Sequence, residues 1–223
     1  MQINVLTLFP GIYNALNESV IGRALEKGLF QVNVYNIRDF SKDKHKKCDD
    51  EPFGGGAGMV MTAQPIHDAI KAIDGAHECF RIYLSPKGQK LNQKMVKRLS
   101  EKKNLLLLNG AFEGVDERVI ELDIDMELSI GDYVITSGDF ASLVLINSIS
   151  RYIDGVLGSP QSITEESFSS NLLEYPQYTR PQVFEGLEVP AVLLSGNHAE
   201  IEKWRKEVAL SITKKRRPDL LEE

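Results

Sequence analysis

LLLLNGAFEGVDER (Leu105–Arg118) is the stretch from which the rest of the chain can be read. Leu105–Leu108 is an unbroken apolar run whose length and flanks suit a strand buried on both faces of a parallel sheet. Gly110 and Gly114 follow it, and glycine lets a backbone turn tightly or come close to a ligand. A second stretch, SIGDYVITSGD (Ser129–Asp139), again sets glycines, Gly131 and Gly138, around Tyr133, Val134 and Ile135. Ligands of open α/β sheets sit beyond the strand ends, where freed backbone groups meet them. Two such loops suggest a nucleotide-like molecule held by main chain; two ordinary glycine turns would look the same.

Around this centre the chain alternates strands and helices. Ile3–Leu8 reads as a strand, and Ile12, Leu16, Val20 and Leu25 as a helical stripe that Gly28 terminates. Phe30–Ile37 and Phe80–Leu84 read as strands. Ile66, Ala69, Ile70 and Ile73 mark a helix after Pro65, and Met95, Val96 and Leu99 another. This β-α-β-α rhythm predicts a mostly parallel sheet covered on both faces. Residues 158–181 are rich in Ser, Pro, Gln and Glu and read as a linker or mobile loop. Beyond it, Val189–Leu194 is apolar, Asn197 and Glu200 have capping-box spacing, and Ile201, Trp204 and Val208 form one helical face. The expected organisation is a domain over 1–158, a linker over 159–176 and a small helical domain over 177–223.

Composition narrows the class. Of 223 residues 42% are hydrophobic, and no apolar stretch reaches membrane-spanning length. MQINVLTLF reads as a first strand rather than a signal peptide, which predicts a cytoplasmic protein. Cys48 and Cys79 lack metal-site spacing. The net charge of −6 is unevenly spread: residues 113–139 hold nine acidic side chains against Arg118. Residues 203–217 hold Lys203, Arg205, Lys206, Lys214, Lys215, Arg216 and Arg217 against Glu207, and Lys42, Lys44, Lys46 and Lys47 form another basic cluster. Local basic patches fit a polyanion partner, although a solvated helix face has the same pattern.

Several motifs are excluded or left open. Gly54, Gly55, Gly56 and Gly58 lack the GK[ST] of a Walker loop, and no GxGxxG follows the first strand. Consecutive glycines are costly to order, so their use is more simply explained by close approach to a ligand or partner chain. SGNH (Ser195–His198) cannot by itself supply a nucleophile, base and orienting acid, and a capping role for Asn197 suffices. Arg151, at the end of the apolar helix Leu143–Ile149, and Glu165 and Glu166 in the following loop are the notable charged set; surface ion pairing is their default reading.

Taken together, DDEPFGGGAGM (Asp49–Met59), YLSPKG (Tyr83–Gly88), GAFEGVDERV (Gly110–Val119), SIGDYV (Ser129–Val134), SRYIDGVLG (Ser150–Gly158) and YTRPQVFEGLEVPAVLLSGNHAEIEKWR (Tyr178–Arg205) resemble the bacterial tRNA (guanine-N1)-methyltransferase family from end to end. The resemblance implies a SPOUT-type α/β domain with a deep trefoil knot, a flexible linker, a small helical carboxy-terminal domain that binds tRNA, and a homodimer with a composite active site. It implies methyl transfer from S-adenosylmethionine to N1 of the guanosine 3′ of the anticodon, with the tRNA anticodon stem-loop as partner and with a dependence on Mg2+. By positional match the cofactor residues are Leu84, Ser85, Pro86, Gly110, Glu113, Ile130, Gly131, Asp132, Tyr133, Val134, Ile135 and Gly138. The catalytic residues are Arg151 and Glu166.

The chain departs from the family pattern at GAFEG, where the family has GRYEG, and at TSGDFAS, where it has SGGELPA. Glu166 stands where the family has an aspartate. A carboxylate at 166 could take the proton from guanine N1, and a guanidinium at 151 could stabilise charge on O6. The rival readings are a knotted methyltransferase acting on another nucleotide, and a non-catalytic RNA-binding dimer.

Overall fold

The leucine run is the centre of the fold. In a computed structural model of the chain, which describes residues 1–158 and 166–222, the chain divides into two units, Met1–Gly158 and Ser159–Glu223. The first unit contains β1 (Gln2–Thr7), α1 (Ser19–Glu26), β2 (Gln31–Asn36), β3 (Asp49–Asp50), β4 (Val60–Met61), α2 (Ala63–Asp74) and β5 (Phe80–Lys90). It continues through α3 (Gln93–Ser100), β6 (Asn104–Asn109), α4 (Glu117–Asp123), β7 (Met126–Ser129) and α5 (Gly138–Ser150). The strands order as β2-β1-β6-β5-β7, every pair parallel. β6 lies in the middle, with Leu105 paired to Ile3 on one side and Phe80 on the other.

Side-chain alternation then divides the core. Leu105 and Leu107 pack with Ile3, Val5, Ile82 and the apolar faces of α3 and α5. Leu106 and Leu108 pack with Leu6 and with Ile66, Ala69 and Ile70 of α2 on the opposite face. All four leucines are fully buried, each worth roughly 1.5–3 kcal/mol of transfer free energy. A polar residue at any of these positions would therefore break one layer or the other.

Local chemistry adjusts the expected boundaries. The stripe Ile12–Leu25 is a 3-10 helix, Pro10–Asn17, followed by α1, because Ser19 sits at φ +62° and resets the helical phase. The break turns Ile21 and Ala24 inward and leaves Val20 exposed. An added Cβ at Gly22 would lie 2.0 Å from the Asn17 carbonyl oxygen, so only glycine lets the two helices meet. Strand β5 runs past Leu84 to Lys90, with Leu84 and Gln89 both opposite Leu128, so Ser85–Gly88 bulge out of the sheet. Helix α5 begins at Gly138, earlier than Leu143, and Ser137 caps it by accepting from the Asp139 N–H at 3.1 Å.

In the second unit β8 (Val183–Phe184) and β9 (Leu187–Glu188) form a hairpin whose turn residues Glu185 and Gly186 have φ +49° and +83°. Two helices follow, α6 (Ala191–Leu194) and α7 (His198–Arg216), with the Asn197 side chain accepting from the Glu200 N–H. The apolar Val189–Leu194 segment supplies only the short α6, with no buried residue. Of the expected linker, residues 159–165, Glu165 among them, lie outside the described residues. Residues 166–176 pack on α7: the Leu173 N–H donates to the buried Thr213 hydroxyl at 2.8 Å, and Phe168 N–H to the Leu172 carbonyl at 2.8 Å.

A buried ion pair ties β5 to α2. Arg81 Nε donates to Asp74 Oδ2 at 2.7 Å, and the same carboxylate accepts from the Glu78 and Cys79 N–H groups. Burial raises the Asp74 pKa, but Arg81 and the two amides outweigh it and hold the carboxyl below its ordinary 3.8. A carboxyl depressed on folding contributes stability that is present above the unfolded pKa and is lost as pH falls through the folded one. Asp74→Asn is expected to lower stability by up to about 3 kcal/mol at neutral pH, since the buried Arg81 loses its closest carboxylate and keeps only Asp123, at 4.0 Å. It should also make the decline in urea midpoint below about pH 4 shallower than in the wild type. An unchanged acid slope would remove Asp74 from the account.

Candidate functional site

Three segments converge at the ends of β6 and β7 and at the bulge within β5. The Ser85–Gly88 bulge, the loop 110–116 after β6 and the loop 130–137 after β7 enclose a cleft of about 240 Å³. Glycines permit the convergence. A Cβ on Gly138 would meet Gly110 N at 3.1 Å and Asn109 Cα and Leu84 Cβ at 3.2 Å, so three chain segments touch at one backbone position. The Gly138 N–H donates to the Gly110 carbonyl at 2.8 Å. A Cβ on Gly88 would fall 2.3 Å from Leu128 N, which keeps the bulge tight on β7. Gly114, at φ +122°, and Gly131, at φ +153°, shape the other two loops.

A polar network fixes this floor from below. Asn109 Nδ2 donates to the Leu6 carbonyl at 3.2 Å and to the Tyr13 hydroxyl at 2.8 Å, and Asn109 Oδ1 accepts from Ser142. Tyr13 in turn donates to Asp139 Oδ1 at 3.0 Å, and Ser137 Oγ to Asp139 Oδ2 at 2.6 Å. All five residues are buried, so every broken link would leave a desolvated polar atom. Burial, and then the Asp139 carboxyl, push the Tyr13 phenol above its ordinary value. Burial, with Glu127 and Glu117 nearby, pushes the Tyr83 phenol up to about 12, so this ring stays protonated at neutral pH.

The cleft brings together most of the residues expected to form one site. Leu84, Ser85, Pro86, Gly110, Glu113, Ile130, Gly131, Tyr133, Val134, Ile135 and Gly138 all line it. Asp132 does not; its side chain turns to solvent and pairs with Lys90. Tyr83, Phe112, Glu117 and Ser137 line it although the reading of cofactor residues passed them over. Glu117 pairs with Lys87 at 3.5 Å across exposed rims. The walls are apolar at Leu84, Ile130, Val134 and Ile135, and Glu113 and Glu117 add carboxylates. Such a lining suits an elongated ligand with a flat apolar part and a cationic centre.

The catalytic candidates occupy different units. Arg151 caps the carboxyl end of α5 and is half-buried in the first unit. Glu166 opens the described part of the second unit, where its carbonyl accepts from the Ser169 N–H at 3.2 Å and hydroxyl at 2.7 Å. It borders a hollow of about 230 Å³ with Tyr175, Glu202, Arg205 and Lys206. Arg205 lies over the Tyr175 ring at 4.7 Å.

The basic clusters differ from each other. Lys42, Lys46 and Lys47 pair with Asp68, Asp39 and Asp50 at 2.8, 2.8 and 3.3 Å, so the amino-terminal cluster is largely neutralised. On α7, Lys206 pairs with Glu202 at 2.6 Å, and Arg217 just beyond it with Asp219 at 2.6 Å. Lys203, Lys214, Lys215 and Arg216 are exposed and make no ion pair among the described residues. Cations in a last helical turn also complement the helix dipole.

A family model described as tRNA (Guanine-1)-methyltransferase TrmD matches residues 1–223. A tRNA (guanine-N(1)-)-methyltransferase of Clostridioides difficile (strain 630) is 56% identical over 224 residues, covering 99% of this chain and 97% of that protein. Proteins of the same description from Clostridium botulinum (strain Hall) and Clostridium tetani (strain Massachusetts / E88) are 54% and 52% identical, covering 99% and 98% of this chain and 91% of each relative.

Tyr13→Phe tests the support of the cleft. It deprives the buried Asp139 of a donor and Asn109 of an acceptor, which is expected to cost roughly 1–3 kcal/mol. For a chain of this size that lowers Tm by about 2–4 °C per kcal/mol. A melting curve superimposable on the wild type would mean that the network contributes nothing.

Proposed function

The chain belongs to the tRNA (guanine-N1)-methyltransferase family, and on that premise we propose that it methylates N1 of the guanosine just 3′ of the anticodon, with S-adenosylmethionine as donor. The observation that carries the reading is the cleft at the ends of β6 and β7 and the bulge within β5. Its lining fits the donor chemically. Leu84, Ile130, Val134 and Ile135 offer an apolar slot for an adenine, main chain at the glycine turns offers polar groups, and Glu113 offers negative charge to a sulfonium or ammonium, Glu117 being paired with Lys87. When bound, S-adenosylmethionine supplies a methyl group already activated by positive sulfur.

The protein's own residues supply the rest. Guanine N1 carries a proton and is a poor nucleophile until that proton leaves. Glu166 is proposed as the base that takes it. Removal leaves negative charge on guanine O6, and Arg151 is proposed to stabilise it with directed N–H donors. The cleft loops, locked by the network beneath them, hold the reacting partners in line and exclude water. The exposed cations of α7, Lys203, Lys214, Lys215 and Arg216, are proposed to hold tRNA phosphates, which position the substrate without reading its sequence. Extruding a base costs a few kcal/mol, least in a single-stranded loop, which suits an anticodon target.

The proposal includes a deep trefoil knot through the cleft loops and a homodimer with a composite active site. Support for a second copy comes from the apolar side chains that the first unit exposes: Phe140 and Val144, one turn apart on α5, and Val134. Magnesium is proposed as a further cofactor, with no ligand residue assigned to it. Among the described residues no group of three His, Cys, Asp or Glu side chains is set to hold a metal ion, and magnesium often needs only one or two carboxylates with substrate oxygens. Among the described residues no helix is long and apolar enough to cross a membrane, and a tRNA substrate supports a cytoplasmic location.

Mass mapping of nucleosides from tRNA treated with the protein and S-adenosylmethionine tests the reaction: 1-methylguanosine is expected beside the anticodon, and a methyl group elsewhere would overturn the assignment. Glu166→Ala is expected to lower kcat about 10²–10⁴-fold while calorimetry finds the affinity for S-adenosylmethionine nearly unchanged. Retained turnover would assign the base elsewhere. Replacing Lys214, Lys215 and Arg216 with Gln should weaken tRNA binding and reduce the slope of log affinity against log salt by about 2–3. If the slope is unmoved, that end of α7 does not touch phosphate.

A further inference from the structure

The glycine-rich stretch after Asp50 forms the tip of a hairpin whose returning limb runs along the loop that lines the cleft. β3 and β4 pair through Asp49–Met61 and Asp50–Val60, and the tip between them holds Phe53, whose ring is wholly exposed. Gly54, Gly55, Gly56 and Gly58 have φ +87°, +78°, +134° and +83°. A Cβ on Gly54 or Gly55 would meet nothing within 4 Å, so those glycines are required by the path of the backbone rather than by crowding. Gly58 differs, because a Cβ there would lie 2.5 Å from Glu113 Oε1, under the carboxylate of the cleft wall.

The returning limb is hydrogen-bonded along that wall. Glu113 N–H donates to the Met59 carbonyl at 3.0 Å, Met61 N–H to Gly114 at 2.9 Å, and Asp116 N–H to Met61 at 3.0 Å. The returning limb is thus fixed to the loop that lines the cleft, and Phe53 stands a few residues ahead of it in the chain. From this placement, and resting on the function proposed above, we propose that Phe53 is a stacking platform for a single-stranded tRNA base adjacent to the methylated guanine.

Charge and shape favour a base over other occupants. The tip follows Asp49, Asp50 and Glu51, of which Asp50 is countered by Lys47 at 3.3 Å; this local charge repels a phosphate but not the face of a base. A second copy of the chain would want contiguous apolar surface, whereas Phe53 stands between Pro52 and three glycines. A lone exposed ring matches the flat face of any base, independent of sequence.

The experiment uses the full chain and an anticodon stem-loop RNA carrying 2-aminopurine at either neighbour of the target guanosine. Phe53→Ala and Phe53→Leu are expected to weaken RNA binding roughly 5- to 100-fold and to abolish the fluorescence change at one neighbour. Phe53→Tyr should retain both, and the affinity for S-adenosylmethionine should stay as in the wild type in all three. Wild-type RNA affinity in Phe53→Leu overturns the proposal, as does a loss of affinity that tracks a fall in sedimentation mass, which would assign the ring to a second copy. Failure of the wild-type protein to methylate the RNA would instead overturn the reading on which this one rests.

Discussion

The Gly138 amide meets the Gly110 carbonyl at 2.8 Å, with Leu84 and Asn109 so close that a Cβ at 138 would crowd both at 3.2 Å. That contact brings Leu84 of β5, the end of β6 and the start of α5 to one point, and the cleft lies where they meet. The backbone contact alone would be a modest hydrogen bond. It is held in place by Asn109, which reaches β1 through the Leu6 carbonyl and α5 through Ser142. Tyr13 and Asp139 complete the brace. The position is therefore determined by several mutually dependent polar groups rather than by packing alone.

The same contact organises what lies around it. Loop 110–116 is fixed on one side by α5 and on the other by the limb leading to β4, whose amide and carbonyl groups bond to Glu113, Gly114 and Asp116. A ligand in the cleft would thus press on a wall held at both edges. The rigidity suits chemistry in which the donor is already activated and alignment is the main contribution of the protein.

Charge is arranged by partner rather than by count. The acidic stretch 113–139 disperses into unlike settings: Asp139 is buried in the network, Glu113 and Glu117 face the cleft, Asp116 is held by Arg118, and Asp132 pairs with Lys90 on the surface. The lysines at 42, 46 and 47 each meet a carboxylate, whereas among the described residues those at 214 and 215 do not. A polyanion would sense the second group far more than the first.

Much of the fold is legible in the chain itself. Leu105–Leu108 has no polar alternate, so it had to lie inside a sheet covered on both faces, and the helical spacings at 66–73 and 95–99 supply the covers. Asn197 and Glu200 locate the start of α7 because capping depends on residues three apart. Other features depend on partners far away in sequence. Nothing near Tyr13 announces Asp139, and Asn109 looks like the polar end of an apolar run until Leu6, Tyr13 and Ser142 surround it. The outward turn of Asp132 toward Lys90 and the pairing of Lys42 with Asp68 belong to the same class. Periodicity and local hydrogen bonding act over a few residues and so are written in the sequence; close approach between loops and the pairing of buried polar groups are decided only when distant segments meet in three dimensions.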